Sequence, residues 1–164
     1  MPMNASVVVR LAVPDDAEDI IRMMDALCAV THDPPTGLTP DDIKRDGFGS
    51  EPWFIAFIAE DANEPVGLAM AERAYASDLG FRGLYLTELF VDDAARGKGV
   101  GRALMRAVTA HCKAIGGTWV GWDVWVENKA AYAFYETLGA EHRNDVSLMM
   151  LSGEALEALV EEES

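Results

Sequence analysis

The sequence predicts an α/β protein (α+β mixed) with a central, mostly antiparallel mixed sheet of about six to seven strands flanked by helices. Three observations carry the expectation. Short β-branched and aromatic runs alternate with amphipathic stretches of helical period. The elements follow in the order βααβββαβαβ, which combines hairpins with crossovers. The 164 residues, half of them apolar, suffice for one domain with a sizeable core. Residues 1–164 are accordingly expected to form a single domain, without repeats, low-complexity tracts or a linker.

Each element has a local reason. "VVVRLAV" (7–13) is β-branched and reads as a strand. "PDDAEDIIRMMDALCAV" (14–30) opens with Pro and acids and lines up Ile20, Ile21, Met24, Leu27 and Cys28 as one apolar stripe, a helix. "THDPPTGLTP" is a loop, and "DDIKRDGFG" a short helix expected to stop at Gly47. "WFIAFIAED" and "PVGLAMAERAYA" are strands joined through "EDANEP", and "GLYLTELFV" (83–91) is a third. After a glycine-rich turn, Leu104, Ala107, Val108, Cys112 and Ile115 recur at helical spacing until Gly116 and Gly117. "TWVGWDVWV" reads as strand, "NKAAYAFYETLG" as a helix closed by Gly139, and "VSLMML" as a last strand before an acidic tail helix.

A formal charge of −15 argues strongly against a polyanionic partner such as DNA, and no nucleic-acid partner is expected, because phosphate contacts dominate that kind of affinity. No apolar run approaches the roughly 18 residues of a membrane span, and "MPMNASVVVRLAV" lacks the features of a secretory signal. A cytoplasmic protein with no membrane partner is expected. Cys28 and Cys112, the two cysteines, sit at helical apolar positions and read as core thiols. His32 and His111 have no metal-spaced partners, so no metal is expected.

The charge is uneven. Between Ala94 and Trp122 there is no acidic residue, while Arg96, Lys98, Arg102, Arg106 and Lys113 all fall there, leaving −20 on the remainder. The island includes "VDDAARGKGVGRALM" (91–105), a turn between strand and helix. Such a junction exposes free backbone N–H groups and the positive end of the helix dipole, and anions bind there. Glycines at 97, 99 and 101 permit positive φ and a close approach to the backbone. Each charge-assisted bond to a phosphate is worth roughly 1.5–3 kcal/mol, so four rival the about 8 kcal/mol of a micromolar ligand. Two well-known phosphate loops are excluded by counting. A P-loop would need Gly and Ser or Thr where Asp92 and Gly99 stand, and a dinucleotide fingerprint would need a third glycine where Arg102 or Leu104 stands.

What remains, Arg96-x-x-Gly99-x-Gly101 after a strand ending "LFV", resembles the acetyl-coenzyme A signature of the GNAT superfamily of N-acetyltransferases. "ENKAAYAFYETLGA" is similar to that superfamily's downstream motif, with Asn128, Ala131, Phe134, Tyr135, Gly139 and Ala140 in its places. "LTPDDIKRDGFG", "PWF", "IAED" and "GLYLTELFVDDAARGKGVG" further resemble the diamine (spermidine/spermine) N-acetyltransferase branch, over most of residues 7–160. The resemblance implies acetyl-CoA as cosubstrate. It implies that Leu89, Phe90 and Val91 line the pantetheine arm, that Arg96, Gly97, Lys98, Gly99, Val100, Gly101 and Arg102 hold the pyrophosphate, and that Asn128, Lys129, Ala130, Ala131 and Tyr135 complete the cofactor site. It places Gly121, Trp122 and Asp123 on a substrate-side strand, and it implies a homodimer. There are departures. Where the branch reads Tyr-Leu-Glu-Asp, this chain reads Tyr85-Leu86-Thr87-Glu88, and the early and late substrate segments are "CAVTHDPPTG" and "EHRNDVS".

Acyl transfer from a thioester to an amine requires a neutral nucleophile, a donor for the carbonyl oxygen and a proton for the departing thiolate. Tyr135 is the candidate acid; acid catalysis of this kind contributes about 10²–10⁴-fold. A backbone N–H near Val91, freed by a bulge, is the candidate carbonyl donor. Glu88 is the candidate base. Strict alternation would put Leu86, Glu88 and Phe90 on one face of the strand and Thr87, Leu89 and Val91 on the other, so that Glu88 or Thr87 faces the substrate, not both. Asp123 is an alternative partner for the cation, and the tryptophans at 119, 122 and 125 suit the core, a dimer surface or an aromatic cage. The expected substrate is a small cationic amine. The alternatives are a protein or peptide N-acetyltransferase and a non-catalytic coenzyme A-binding regulatory module.

Overall fold

A computed structural model describes residues 7–161; the first six residues of the expected N-terminal segment and the last three of the acidic tail lie outside the described residues. Contacts divide the chain into two compact units, one ending at Asp123 and one beginning at Val124.

The first unit is built on a five-stranded sheet in the order β1 (Val8–Leu11), β2 (Ile55–Asp61), β3 (Glu64–Ala76), β4 (Phe81–Val91) and β5 (Trp119–Gly121). The first four are antiparallel neighbours, and β5 runs parallel to β4. The expected class holds. Ala62 and Asn63 turn β2 into β3 with φ of 53° and 65°, the left-handed pair that matches the twist of a two-residue hairpin.

Helices cover both faces. A single 3-10 turn, Pro14–Asp16, leads into α1 (Ala17–Val30), whose Ile20 and Met23 are fully buried. They pack with Ile43 of α2 (Pro40–Phe48) against Ala56, Ile58, Leu68, Met70 and Phe90 of the sheet. Each such large side chain contributes roughly 1.5–3 kcal/mol through its removal from water. Thr39 and Asp42 cap α2 reciprocally: Thr39 N–H donates to the Asp42 carboxylate at 2.9 Å and Asp42 N–H donates to Thr39 Oγ1 at 3.3 Å. The helix runs through Gly47, where it was expected to stop. A Cβ at Gly47 would lie 2.6 Å from the ring of Phe54, so glycine there serves close packing and not termination. The opposite face receives α3 (Val100–Ala114) through Val100, Leu104, Met105, Val108 and Cys112. Gly67 lets it approach, since a Cβ there would lie 3.0 Å from Val100, and Phe57 meets His111 edge-on at 5.8 Å.

Two expected strands are corrected. "TWVGWDVWV" forms strand only over the three residues of β5, and "VSLMML" forms none, so the sheet has five strands among the described residues and not six to seven. A strand exists only where a neighbour takes its N–H and C=O groups; apolar, β-prone composition cannot supply that neighbour. In the second unit, Asn128 caps α4 (Lys129–Glu136) by accepting a bond from Ala131 N–H at 3.0 Å, and α5 (Gly153–Glu161) follows. Val146, Leu148, Met149, Met150 and Leu151 are exposed.

One ion-pair network joins β1, β2 and the entry to α1. Arg10 grips Asp16 with two bonds of 2.7 and 2.8 Å and reaches Glu60 at 2.8 Å, while Asp16 also accepts from Val13 N–H at 2.7 Å. The Arg10 guanidinium holds the buried Asp16 carboxyl below the ordinary aspartate value of 3.8. A carboxylate with a lowered folded-state pKa stabilises the fold above its unfolded value and loses that contribution as pH falls through the folded one. Asp16→Ala is therefore expected to lower stability at pH 7 by about 2 kcal/mol. In urea unfolding, the gap from the parent protein should close as the pH falls below 3.8; a gap unchanged down to pH 2 would contradict this account.

Candidate active site

The site begins with a register shift in β4. Met70 pairs with Glu88 and Ala71 with Leu86, so Thr87 is an extra residue, a β-bulge. Its hydroxyl donates to Met70 O at 3.3 Å. The bulge corrects the strict alternation expected from the sequence. Paired residues share a face, so Glu88 and Phe90 lie with Met70 and Leu68 on the α1 side, together with Tyr85; Leu86 and Leu89 lie on the α3 side. Glu88 is half-buried, and burial raises its pKa. On α1, burial and then the charges of Glu88, Asp25 and Asp33 push the Cys28 thiol up.

The second feature is an open edge. Pairing between β4 and β5 ends at Tyr85 with Gly121, so the stretch from Leu86 to Val91 has no strand partner on that side among the described residues. Asp92 N–H donates to Val66 O on the β3 side at 2.9 Å. Strand amides alternate, so those of Leu89 and Val91 point the other way, toward the open edge.

Beyond β4, a single 3-10 turn (Asp93–Ala95) leads to the glycines. Gly97 and Gly99 have φ of 75° and 82°, with Gly99 the residue before α3, and a Cβ at either would meet nothing within 4 Å. Among the described residues the amides of Gly97, Lys98, Gly99, Val100 and Gly101 donate to no backbone carbonyl; the first such bond into α3 is Ala103 N–H to Gly99 O at 3.0 Å. The turn thus presents a row of unengaged N–H groups at a helix N-terminus, beside open space. Arg96 pairs with Asp93 at 3.0 Å and Lys98 with Asp61 at 3.2 Å. Exposed pairs of this kind hold by about 0–1 kcal/mol, so either cation can turn to an arriving phosphate. On the α1 side of the turn lies a cleft of about 620 Å³, with an apolar floor of Ala26, Val30, Val66 and Phe90 and a rim that includes Asp61, Asp92, Arg96 and Lys98.

The remaining candidates are placed as follows. Gly121 ends β5, Trp122 is half-buried and Asp123 is exposed. Burial first, and then the neighbouring Asp123 carboxylate, raise the pKa of the Tyr85 hydroxyl. The sequence reading missed Tyr85, because alternation without the bulge put it opposite Glu88. The signal was present: Leu84, Leu86, Leu89 and Val91 have period 2 with one residue inserted. Trp119 lies flat over Gly83, where a Cβ would sit 2.2 Å from the indole. In the second unit, Tyr135 lies on α4 beside Phe134, ring centroids 5.2 Å apart, and burial pushes its phenol up to about 12. Lys129, Ala130 and Ala131 form the first turn of α4, with Lys129 Nζ donating to Val126 O at 3.1 Å. Cys28 and Cys112 are free thiols, and Cys112 Sγ donates to Trp119 O at 3.2 Å. Among the described residues no group of three or more His, Cys, Asp or Glu could hold a metal ion, and no helix is long and apolar enough to cross a membrane.

The chain is similar to several known proteins. The chain is 32% identical over 145 residues to the human spermidine/spermine N(1)-acetyltransferase-like protein 1, covering 80% of this chain but only 20% of that protein's length. It is 29% identical over 145 residues to the pig thialysine N-epsilon-acetyltransferase, covering 83% of this chain and 85% of the other. Among solved structures, an integron cassette protein from the mobile metagenome of V. cholerae superposes with a TM-score of 0.79 at 19% identity, covering 96% and 99% of the two chains. The aminoglycoside N-acetyltransferase AAC(6')-Iy in complex with CoA superposes at 0.75 with 21% identity, covering 92% and 97%. The model of the acetyltransferase (GNAT) family matches residues 22–140, and the chain belongs to that family of N-acetyltransferases.

Proposed function

We propose that this acetyltransferase moves an acetyl group from acetyl-CoA to a primary amine of a small cationic molecule, a diamine or a thialysine-like amino acid, by direct attack with both substrates bound. The observation that carries the reading is the row of unengaged amides from Gly97 to Gly101 in front of glycines with open space beside them. Those residues fit a diphosphate: the amides donate, the N-terminus of α3 favours negative charge, and Arg96, Lys98 and Arg102 add cations. The outward amides of Leu89 and Val91, with Phe90 between them, suit the pantetheine arm; the family resemblance by itself assigns Asn128, Lys129, Ala130 and Ala131 to the cofactor as well. Acetyl-CoA, when bound, supplies an acetyl group activated as a thioester. Glu88 removes the proton from the incoming ammonium, directly or through water, and Tyr135 Oη gives a proton to the departing sulfur. Thr87, Gly121, Trp122 and Asp123 border the amine.

Names of relatives support the amine class, since they include acetyltransferases of thialysine and, in Arabidopsis thaliana, of L-ornithine. The negative charge of the chain outside 94–122 also favours a cationic substrate. A homodimer is part of the reading; the exposed run Val146, Leu148, Met149, Met150 and Leu151 is the apolar surface a second copy would cover.

The decisive assay is release of free coenzyme A thiol from acetyl-CoA across a panel of polyamines, lysine and ornithine analogues, aminoglycosides and peptides. Turnover of free diamines or amino acids is expected, and acetylation of peptides alone would displace the reading. Gly99→Asp should raise the dissociation constant for coenzyme A at least about tenfold by placing a carboxylate against the diphosphate; calorimetry with an unfolding scan of the free variant separates this from misfolding. Tyr135→Phe should lower kcat about 10²-fold with the coenzyme A dissociation constant unchanged. Glu88 acts as a base only when ionised, so kcat/KM should fall as pH drops through its raised pKa, an acid limb above the ordinary glutamate value of 4.5 that Glu88→Gln removes together with most of the rate.

A further inference from the structure

The direction of Glu88 toward α1 depends on which residue of β4 is the extra one, whereas Leu89 and Val91 keep Ala69 and Gly67 opposite them either way. Glu88 pairs with Met70 and Thr87 is left over. Had the bulge slipped by one residue, Thr87 would stand opposite Met70 and Glu88 would be the unpaired member. Threonine has a high strand preference that would suit the paired place. One bond opposes the slip: the Thr87 hydroxyl donates to Met70 O at 3.3 Å, across the register shift. Bulge residues leave the ladder, so a side chain that ties the bulge to the partner strand decides where it sits.

We infer that Thr87 is a positioning residue, whose hydroxyl pins the bulge of β4 against Met70 and thereby holds the Glu88 carboxylate on the α1 face. The inference rests on the reading of Glu88 as the proton acceptor only for its effect on turnover; the placement of Glu88 stands by itself. The ionisable groups around that face are Cys28 and Asp25 on α1, Asp33 after it, and Tyr85 on the same strand. Thr87 occupies the place where the resembling branch has an acid, so this chain has a latch there in exchange for a charge.

The test compares Thr87→Val, which keeps the branched shape and loses the hydroxyl, with Thr87→Ser, which keeps the hydroxyl. The Glu88 carboxyl is titrated by carbon NMR in protein carrying no acetyl-CoA and no amine. In Thr87→Val its midpoint is expected to fall toward that of an ordinary glutamate as the side chain swings out of its buried place, while Thr87→Ser titrates like the parent. In turnover, Thr87→Val should lose about tenfold in kcat with KM for acetyl-CoA held, and Thr87→Ser should recover most of it. Thr87→Ala, which has no γ-branch to overpack, replaces Thr87→Val if that variant does not fold. A hydroxyl-free variant that titrates like the parent overturns the inference, as does a Ser variant that shifts as far. If the parent protein acetylates no amine at all, the proposed function fails and the titration alone decides the role of Thr87.

Discussion

Strand β4 is asked to satisfy two neighbours and is allowed to keep only one along its whole length. It pairs with β3 from Phe81 to Val91, but with β5 over three residues, ending at Tyr85 and Gly121. A sheet interior that stops being paired halfway along a strand would ordinarily be a fault, because every unpaired amide costs the desolvation of a polar group. Here the unpaired stretch is followed, after a 3-10 turn whose Ala95 and Arg96 amides are engaged, by glycines whose own amides donate to no backbone carbonyl. The bulge at Thr87 sits near the start of the unpaired stretch. It lies just past the last β4–β5 pair and changes which side chains face α1, so one inserted residue decides the placement of the acid.

The chemistry of the turn follows from glycine and from the helix behind it. Gly97 and Gly99 hold left-handed conformations that other residues adopt only at a cost, and the space beside them is empty. The N-terminus of α3 adds a partial positive charge in a chain that is otherwise strongly acidic. Its basic neighbours are held by weak, exposed pairs with Asp93 and Asp61, an arrangement that keeps the cations local without spending their charge. The rest of the first unit keeps this edge in place. Ile20, Met23 and Ile43 close one face, Val100, Leu104 and Val108 the other, and the Arg10, Asp16 and Glu60 network fixes where α1 leaves the sheet.

What the sequence by itself determined were features whose cause is local. The helices at 17–30 and 100–114 follow from apolar spacing and the turn at 97–101 from its glycines, because each depends on residues within a few positions of one another. The family was legible for the same reason: its two motifs are short and contiguous. Even Gly47 and Gly83 were visible as glycines, but not their purpose, since the rings of Phe54 and Trp119 reach them from distant positions in the chain. Tertiary structure alone decided the rest. Whether 118–126 and 146–151 are strands depends on a partner strand, which composition does not encode. Whether Glu88 shares a face with Tyr85 or with Leu86 depends on the register between β3 and β4, which a single extra residue reverses. Helical order arises from bonds a few residues apart, whereas sheet order is settled between segments far apart in the chain, and the acid of this site lies on a strand.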